Sequence, residues 1–378
     1  MQVAEVPVEV DNRSIEAFGA VLKALGIKAI VERLEHKEPL YRYFVRLDPK
    51  TRYSKLESLA EDIALQMKPI APPVIRPAFN TGLVLVEMMF DEHPVIPFDR
   101  LLTETNFVNT KYDMELPVIF GTTDIDQPLV VDLNKMPHLI LAGTTGSGKS
   151  MLLHSITGSL LLKSKEIGIK LAMIDPKLVE FNVYNSSPSL LYPVVNDSEE
   201  ALEMLQDLRE EMSNRFKVFQ KYNCRDIIEY REKVKKIPYI VLIIDELADL
   251  MRVKGFEKLL CELAQKSRAA GIHIVAATQH PSSKVLTGEI RANFPSKIGC
   301  KVSTQVHSRV VLDRNGAENL LGKGDALFLD EGGTMKRFKG AFVVHTQSQK
   351  VVQQVVKQQS LMDRFTNAVL RRQKRKAK

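Results

Sequence analysis

Four short stretches of the chain carry apolar residues at nearly every position: 138–142 (HLILA), 169–174 (IKLAMI), 239–244 (YIVLII) and 272–277 (IHIVAA). Runs this short and this continuous suit strands buried on both faces of a parallel sheet. Between them the pattern changes to helical spacing, over 150–162 and over the long amphipathic stretch 198–221. Strands alternating with helices predict an α/β core with a mostly parallel, doubly wound sheet, assigned to residues 105–348. Residues 1–104 read differently, as a small α/β domain. Its 13–25 segment is helical in pattern, and Tyr41, Tyr43, Val45 and Leu47 alternate with polar neighbours as in a half-buried strand. Leu56, Leu59, Ala60, Ile63, Ala64 and Met67 recur on one helical face over 53–67, and a strand at 82–88 follows the turn signal Asn80-Thr81-Gly82. Pro69, Pro72, Pro73 and Pro77 predict a loop between them. Residues 349–378 form a basic, helical or disordered tail.

The first apolar run leads directly into Gly143-Thr144-Thr145-Gly146-Ser147-Gly148-Lys149-Ser150, a full match to G-x-x-x-x-G-K-[ST] followed by a helical pattern. The chemistry explains each residue type. Glycines let backbone N–H groups turn toward phosphate oxygens without a Cβ in the way. The helix that follows presents its positive end to the anion. Lys149 is placed to reach the β- and γ-phosphates, and the Ser150 hydroxyl to bind Mg2+. The third run, 239–244, ends in Asp245-Glu246. Ligands bind outside the carboxyl ends of parallel strands, so Asp245 is the candidate metal carboxylate and Glu246 the candidate base for an attacking water. The fourth run ends at Thr278-Gln279, where Gln279 could touch a γ-phosphate. ATP and Mg2+ are therefore the expected cofactors.

Charge adds a weaker hint. The 378 residues carry a formal net charge of +7, a mild field that favours polyanions. Cys224, Cys261 and Cys300 are far apart and form no CxxC pair, which suits inert thiols in a reducing compartment better than a zinc site or disulfides. No apolar run reaches the roughly 18 to 20 residues that span a bilayer, and the start of the chain lacks the basic and apolar regions of a signal peptide. The expectation is a cytoplasmic protein with no membrane anchor in this chain.

Longer motifs resemble the FtsK/SpoIIIE double-stranded DNA translocases. They are Asp175-Pro176-Lys177; Ile244 through Met251 (IDELADLM); Ala264 through His273 (AQKSRAAGIH); Ala277 through Pro281 (ATQHP); Ser308 through Asp313 (SRVVLD); and Gly316 through Asp325 (GAENLLGKGD). Together they cover about 136–345, and Leu59 through Leu65 (LAEDIAL) is similar to that family's α domain. The resemblance implies a RecA-like motor, a homo-hexameric ring with double-stranded DNA in its channel, and ATP bound between protomers. A cation from the neighbouring protomer would complete each site, and Arg268, Lys297 and Arg309 sit in the matching stretches. Lys284, Arg291, Lys301, Arg309 and Lys323 lie in the segments expected to face DNA.

The sequence departs from the family pattern where His280 and Lys297 stand in place of the usual arginines, and Lys offers a point charge rather than a planar fork. Few residues follow the motor, so a winged-helix γ domain is not expected. Instead Arg364, Arg371, Arg372, Lys374, Arg375, Lys376 and Lys378 form a cationic end that could tether DNA or simply solubilise the chain. Two other functions stay open: a conjugative coupling or genome-packaging ATPase, and an ATP-switched DNA-binding scaffold. Intact Lys149, Ser150, Asp245 and Glu246 argue against the scaffold.

Overall fold

The computed structural model describes residues 13–357 apart from 38, 79–80, 93 and 124–125. The cationic end at 364–378 lies outside the described residues, whereas 345–357 are helical. Contacts divide the chain into two units: residues up to Pro94 with Asn315–Leu321, and Val95–Arg314 with Gly322 onward.

The smaller unit is built on an antiparallel sheet of β1 (Ala29–Lys37), β2 (Leu40–Leu47), β3 (Val74–Ala78) and β4 (Leu83–Met89), in the order β1-β2-β4-β3. Helices Ile15–Ala24, Tyr53–Glu57 and Ala60–Met67 cover one face, closing a core around Phe18, Leu22, Tyr43, Leu56, Ile63 and Val86. Two expectations change here. The proline-rich loop contains β3, and it tolerates Pro77 because β3 is an edge strand with one row of backbone groups unpaired. The helix expected over 53–67 is two helices, broken at Ser58–Leu59. Glu87, fully buried on β4, is held by Arg42 of β2 at 3.2 Å and Arg76 of β3 at 3.0 Å, so a charge inside the sheet keeps its partners.

The larger unit carries a nine-stranded sheet. Its strands are β5 (Pro117–Thr123), β6 (Pro128–Asp132), β7 (His138–Ala142), β8 (Ile169–Ile174), β9 (Tyr239–Ile244), β10 (Ile272–Thr278), β11 (Ser296–Cys300), β12 (Asp325–Leu329) and β13 (Met335–Gly340). The order is β6-β5-β13-β12-β11-β7-β10-β9-β8. The four apolar runs are β7 to β10, and with β11 they form the parallel half. The sheet is thus mixed rather than mostly parallel, because β12, β13, β5 and β6 extend it by antiparallel pairing. β6, β12 and β13 escaped the sequence reading because they carry charge. β12 and β13 are locked by a buried Arg337–Asp325 pair at 2.7 Å.

The helix Lys149–Lys163 runs almost wholly buried against β5. Its polar residues explain how: Ser155 Oγ donates to the Ile119 carbonyl at 2.7 Å, and Ser159 Oγ accepts from the Ile119 amide at 3.0 Å. Helix Phe98–Glu104 also belongs to this unit. Phe98 is fully buried in its core and would sit 3.3 Å from a Cβ at Gly158, so the division falls at 94/95, ten residues before the expected one.

Candidate active site

Register brings the strand ends together. Ala142 pairs with Thr278 and with Gly299, and Ile244 pairs with Ala276 and with Ile174. The residues just beyond therefore stand side by side: Gly143 after β7, Asp175 after β8, Asp245 and Glu246 after β9, Gln279 after β10. Parallel strands leave at this edge with their side chains converging on the loop that starts at Gly143.

That loop turns through Gly146 at φ +77° and Gly148 at φ +102°, conformations that side chains rarely adopt. At Gly148 a Cβ would meet the Gly324 backbone at 2.4 Å. The neighbour is a left-handed turn, Gly322-Lys323-Gly324, whose amides bind the loop: Lys323 N to Gly146 O at 3.1 Å and Gly324 N to Ser147 O at 2.8 Å. On its other flank, Thr144 donates through its amide and its hydroxyl to the Lys301 carbonyl, at 2.9 and 3.1 Å. The loop is held from both sides, and the first amides of helix Lys149–Lys163 have no carbonyl one turn back to bind.

Lys149, buried, donates to Asp245 Oδ1 at 2.6 Å and to the Asp245 carbonyl at 2.8 Å. Burial pushes the Asp245 carboxyl above its usual value, and the Lys149 ammonium pulls the other way. Glu246 is anchored by three donors: Thr278 Oγ1 at 2.6 Å and Ala248 N at 3.1 Å on one oxygen, Gln279 N at 2.9 Å on the other. Gln279 Oε1 in turn accepts from Thr145 Oγ1 at 3.2 Å. Lys149 and Asp245 thus form one bonded pair, and Glu246, Gln279 and Thr145 a bonded set beside it, joined to it through the adjacent residues 245 and 246.

Sequence reasoning missed Glu180. Its carboxylate accepts from Ser150 Oγ at 2.6 Å and faces His154 Nε2 at 3.2 Å. The His154 contact, more than that of Ser150, holds it below the usual range of a carboxyl. Asp175 shapes its loop by accepting the Glu180 and Phe181 amides, each at 2.9 Å. A lone Glu five residues after a strand-end Asp carries no signal of its own. The apolar end of the cleft was missed as well. A cleft of about 510 Å³ runs from the loop to Val95, Ile96, Met151, Ala341 and Phe342. Ile96 and Phe342 are brought there by paired backbone, Phe342 N to Ile96 O at 2.8 Å and Phe98 N to Phe342 O at 3.0 Å, a contact that spans almost the whole unit in sequence.

The remaining candidate cations are spread out. Lys323, expected to face DNA, lines this cleft instead, because the turn that carries it packs on the glycine-rich loop. Lys297 is buried on β11 and paired with Asp313, which also holds Arg291 at 2.8 Å. Arg268 is exposed near the start of β10, at the opposite end of that strand from Gln279, and Lys284, Lys301 and Arg309 are exposed. None of Arg268, Lys297 and Arg309 lines this cleft. Cys224, Cys261 and Cys300 are free and buried, and burial pushes the Cys300 thiol up to about 12.

A glycine-rich loop between a parallel strand and a buried helix, with a Lys–Asp pair and a neighbouring Glu, defines a P-loop NTPase. The FtsK/SpoIIIE family model matches residues 104–238 and 232–283. The chain belongs to that family. It is 38% identical over 351 residues to DNA translocase SpoIIIE of Bacillus subtilis, covering 89% of this chain and 44% of that protein. It is 38% identical over 363 residues to DNA translocase FtsK of Halalkalibacterium halodurans, covering 92% and 46%. The chain thus spans somewhat less than half the length of these curated relatives. Among solved structures, the pCW3 conjugation coupling protein TcpA with ATPγS superposes with a TM-score of 0.65 at 24% identity, over 92% of this chain and 100% of that one. The cytoplasmic domain of the Thermomonospora curvata type VII secretion ATPase EccC gives 0.62 at 22%, over 70% and 34%. These two likenesses concern the fold. No described helix is long and apolar enough to cross a membrane.

Proposed function

We propose that this chain hydrolyses ATP and couples the hydrolysis to movement along double-stranded DNA, acting in the cytoplasm as a homo-hexameric ring. The observation that carries the reading is the convergence of Lys149, Asp245, Glu246 and Gln279 at the ends of β7, β9 and β10. The relatives named as DNA translocases supply the substrate. In this reading the loop amides and Lys149 hold the β- and γ-phosphates, while Ile96, Met151 and Phe342 face the adenine. Lys323 and Lys339, both lining the cleft, add positive charge near the phosphates.

The donors present fit Mg2+. Among the described residues no three His, Cys, Asp or Glu side chains gather as a metal cage. Ser150 and Asp245 offer a hydroxyl and a carboxylate, suited to a hard cation that completes its shell with phosphate and water. When bound, Mg2+ would neutralise charge on the phosphate oxygens. Glu246 would orient and deprotonate the attacking water, and Gln279, tied to Glu246 through its own amide, would report the γ-phosphate. Lys149 must then leave Asp245 for the nucleotide, exchanging one buried anion for another. With Lys297 paired inside its own protomer, Arg268 and Arg309 are the preferred cations for a neighbour's site. We assign the motor to the larger unit, which begins at Val95 rather than at the expected 105 and keeps the helical stretch 345–357 in its core, and place Lys284, Lys301 and Arg309 toward DNA.

Phosphate release with and without duplex DNA, and displacement of a bound third strand by the moving protein, test this directly. We expect duplex to stimulate hydrolysis and the third strand to be expelled only with ATP, with K149A inactive in both assays. Stimulation by single strands alone would favour a conjugative coupling or genome-packaging ATPase. Nucleotide binding without any DNA-stimulated hydrolysis would favour a DNA-binding scaffold.

A further inference from the structure

A serine hydroxyl has one proton and two lone pairs, and it can ligate a cation only if the proton points elsewhere. At Ser150 the structure supplies that elsewhere. The hydroxyl donates to Glu180 Oε1 at 2.6 Å, the length of a hydrogen bond to a charged acceptor. Glu180 is itself held at both ends. Its backbone amide is fixed by Asp175, and its second oxygen faces His154. His154 lies four residues after Ser150 and so on the same face of the helix. A carboxylate can only accept, so His154 Nε2 carries a proton toward Glu180, while Nδ1 meets the Tyr184 hydroxyl at 2.7 Å. Ser348, in the helical stretch 345–357, lies 3.3 Å beyond that hydroxyl. His154, Tyr184 and Ser348 are all buried. This interior chain ends at the metal half of the nucleotide site and serves no strand or helix cap.

We propose that Glu180 is a positioning residue for the divalent cation: it takes the Ser150 proton and leaves that oxygen's lone pairs for the metal, with His154 and Tyr184 holding Glu180 in place. The proposal rests on the nucleotide-site reading above. Partners one step removed from a metal ligand characteristically cost about 10- to 100-fold in metal affinity when lost.

The test is equilibrium binding of a fluorescent, non-hydrolysable ATP analogue to the full chain, in EDTA and across a Mg2+ series. Glu180→Ala should keep the EDTA affinity within about twofold while raising the half-saturating Mg2+ about tenfold or more. Glu180→Gln retains an oxygen that accepts the Ser150 proton, so its Mg2+ midpoint should stay within about threefold of the unsubstituted chain. A normal Mg2+ midpoint in E180A overturns the proposal, as does an equal loss of affinity in EDTA. So does E180Q as impaired as E180A, since the charge and not the acceptor would then matter. If E180A loses its thermal transition, Tyr184→Phe reads the same property: a raised midpoint supports the proposal and an unchanged one overturns it. Failure of the unsubstituted chain to bind the analogue at all would instead overturn the nucleotide site itself.

Discussion

Glu246→Gln separates catalysis from binding in a way the geometry makes quantitative. The carboxylate of Glu246 accepts three hydrogen bonds, two on Oε1 and one on Oε2. An amide offers one accepting oxygen and one donating nitrogen. If the nitrogen replaces Oε2 it faces the Gln279 amide, donor against donor. If it replaces Oε1 it faces the Ala248 amide. The Thr278 hydroxyl could turn to accept there, but its oxygen already accepts from His280 N at 3.0 Å. Either orientation strands one backbone donor, of Gln279 or of Ala248, against a side chain that is 1% exposed, a cost of about 1–3 kcal/mol. At about 4 °C or less per kcal/mol for a domain of this size, the melting temperature should fall by several degrees. The loop 143–150 touches none of these bonds, so nucleotide affinity should change by less than about threefold, because the cradle is built from backbone and Lys149. Hydrolysis should fall by about 100- to 10,000-fold, the usual worth of a positioned base. Fluorescent-nucleotide titration, single-turnover phosphate release and a thermal scan measure the three effects. Turnover near that of the unsubstituted protein would refute the base assignment. Turnover lost together with nucleotide binding would mean that Glu246 holds the site together rather than acting in it.

Three further outcomes are expected. Gly148→Ala places a Cβ 2.4 Å from the Gly324 amide nitrogen in a left-handed conformation, whereas Gly146→Ala at φ +77° meets no atom within 4 Å. Nucleotide affinity should therefore drop at least about tenfold for the first and clearly less for the second, since only the first must move backbone as well as meet the ~1–2 kcal/mol conformational cost. Acid should destabilise the larger unit early. Burial lowers His138 from its ordinary 6.5 to about 3 and His273 to about 4, with the positive charge of Arg268 adding to both and that of His273 adding at His138. Below pH 6.5 the unfolded chain binds protons that the folded one refuses, so stability present above 6.5 is lost as pH falls toward 4. At pH 5.5 the two together should cost up to about 3 kcal/mol, and an unchanged melting temperature between pH 7.5 and 5.5 would contradict this. DNA binding should weaken steeply with salt and show little sequence preference, because a motor that passes every site must hold phosphates; a footprint fixed to one sequence at moderate salt would oppose the reading.

What the sequence disclosed about the fold depended on where side chains are buried. β7 to β10 are covered on both faces, so their composition alone marks them, and the amphipathic helix falls at Ser198–Lys221 where spacing placed it. β12 and β13 were silent, because their pairing depends on Arg337 meeting Asp325 across a hairpin, and each reads locally as an ordinary charged residue. The helix after the loop was legible as a helical pattern over 150–162, but not its burial. Ser155 and Ser159 are buried there because their hydroxyls bind the β5 backbone, a satisfaction invisible without the partner strand.

The same distinction divides the site. Its phosphate half is legible because one short segment must meet every requirement at once, glycine where φ is positive, lysine and serine where charge and metal fall, and those needs leave a contiguous signature. The apolar end has no such constraint. Any bulky apolar side chain can wall a planar base, so Ile96 and Phe342 carry no mark, and only the backbone pairing of two segments remote in sequence puts them beside Met151. Glu180 falls between these cases. Its position is dictated by Asp175, whose carboxylate turns the chain so that the fifth residue on faces Ser150. The Asp-Pro-Lys motif is thus legible as a motif, but its geometric consequence, a carboxylate delivered to the metal hydroxyl, requires the three-dimensional turn. Where a function rests on contiguous backbone geometry the sequence states it; where it rests on a side chain carried in by a loop, the hydrogen bonds that shape the loop must be seen.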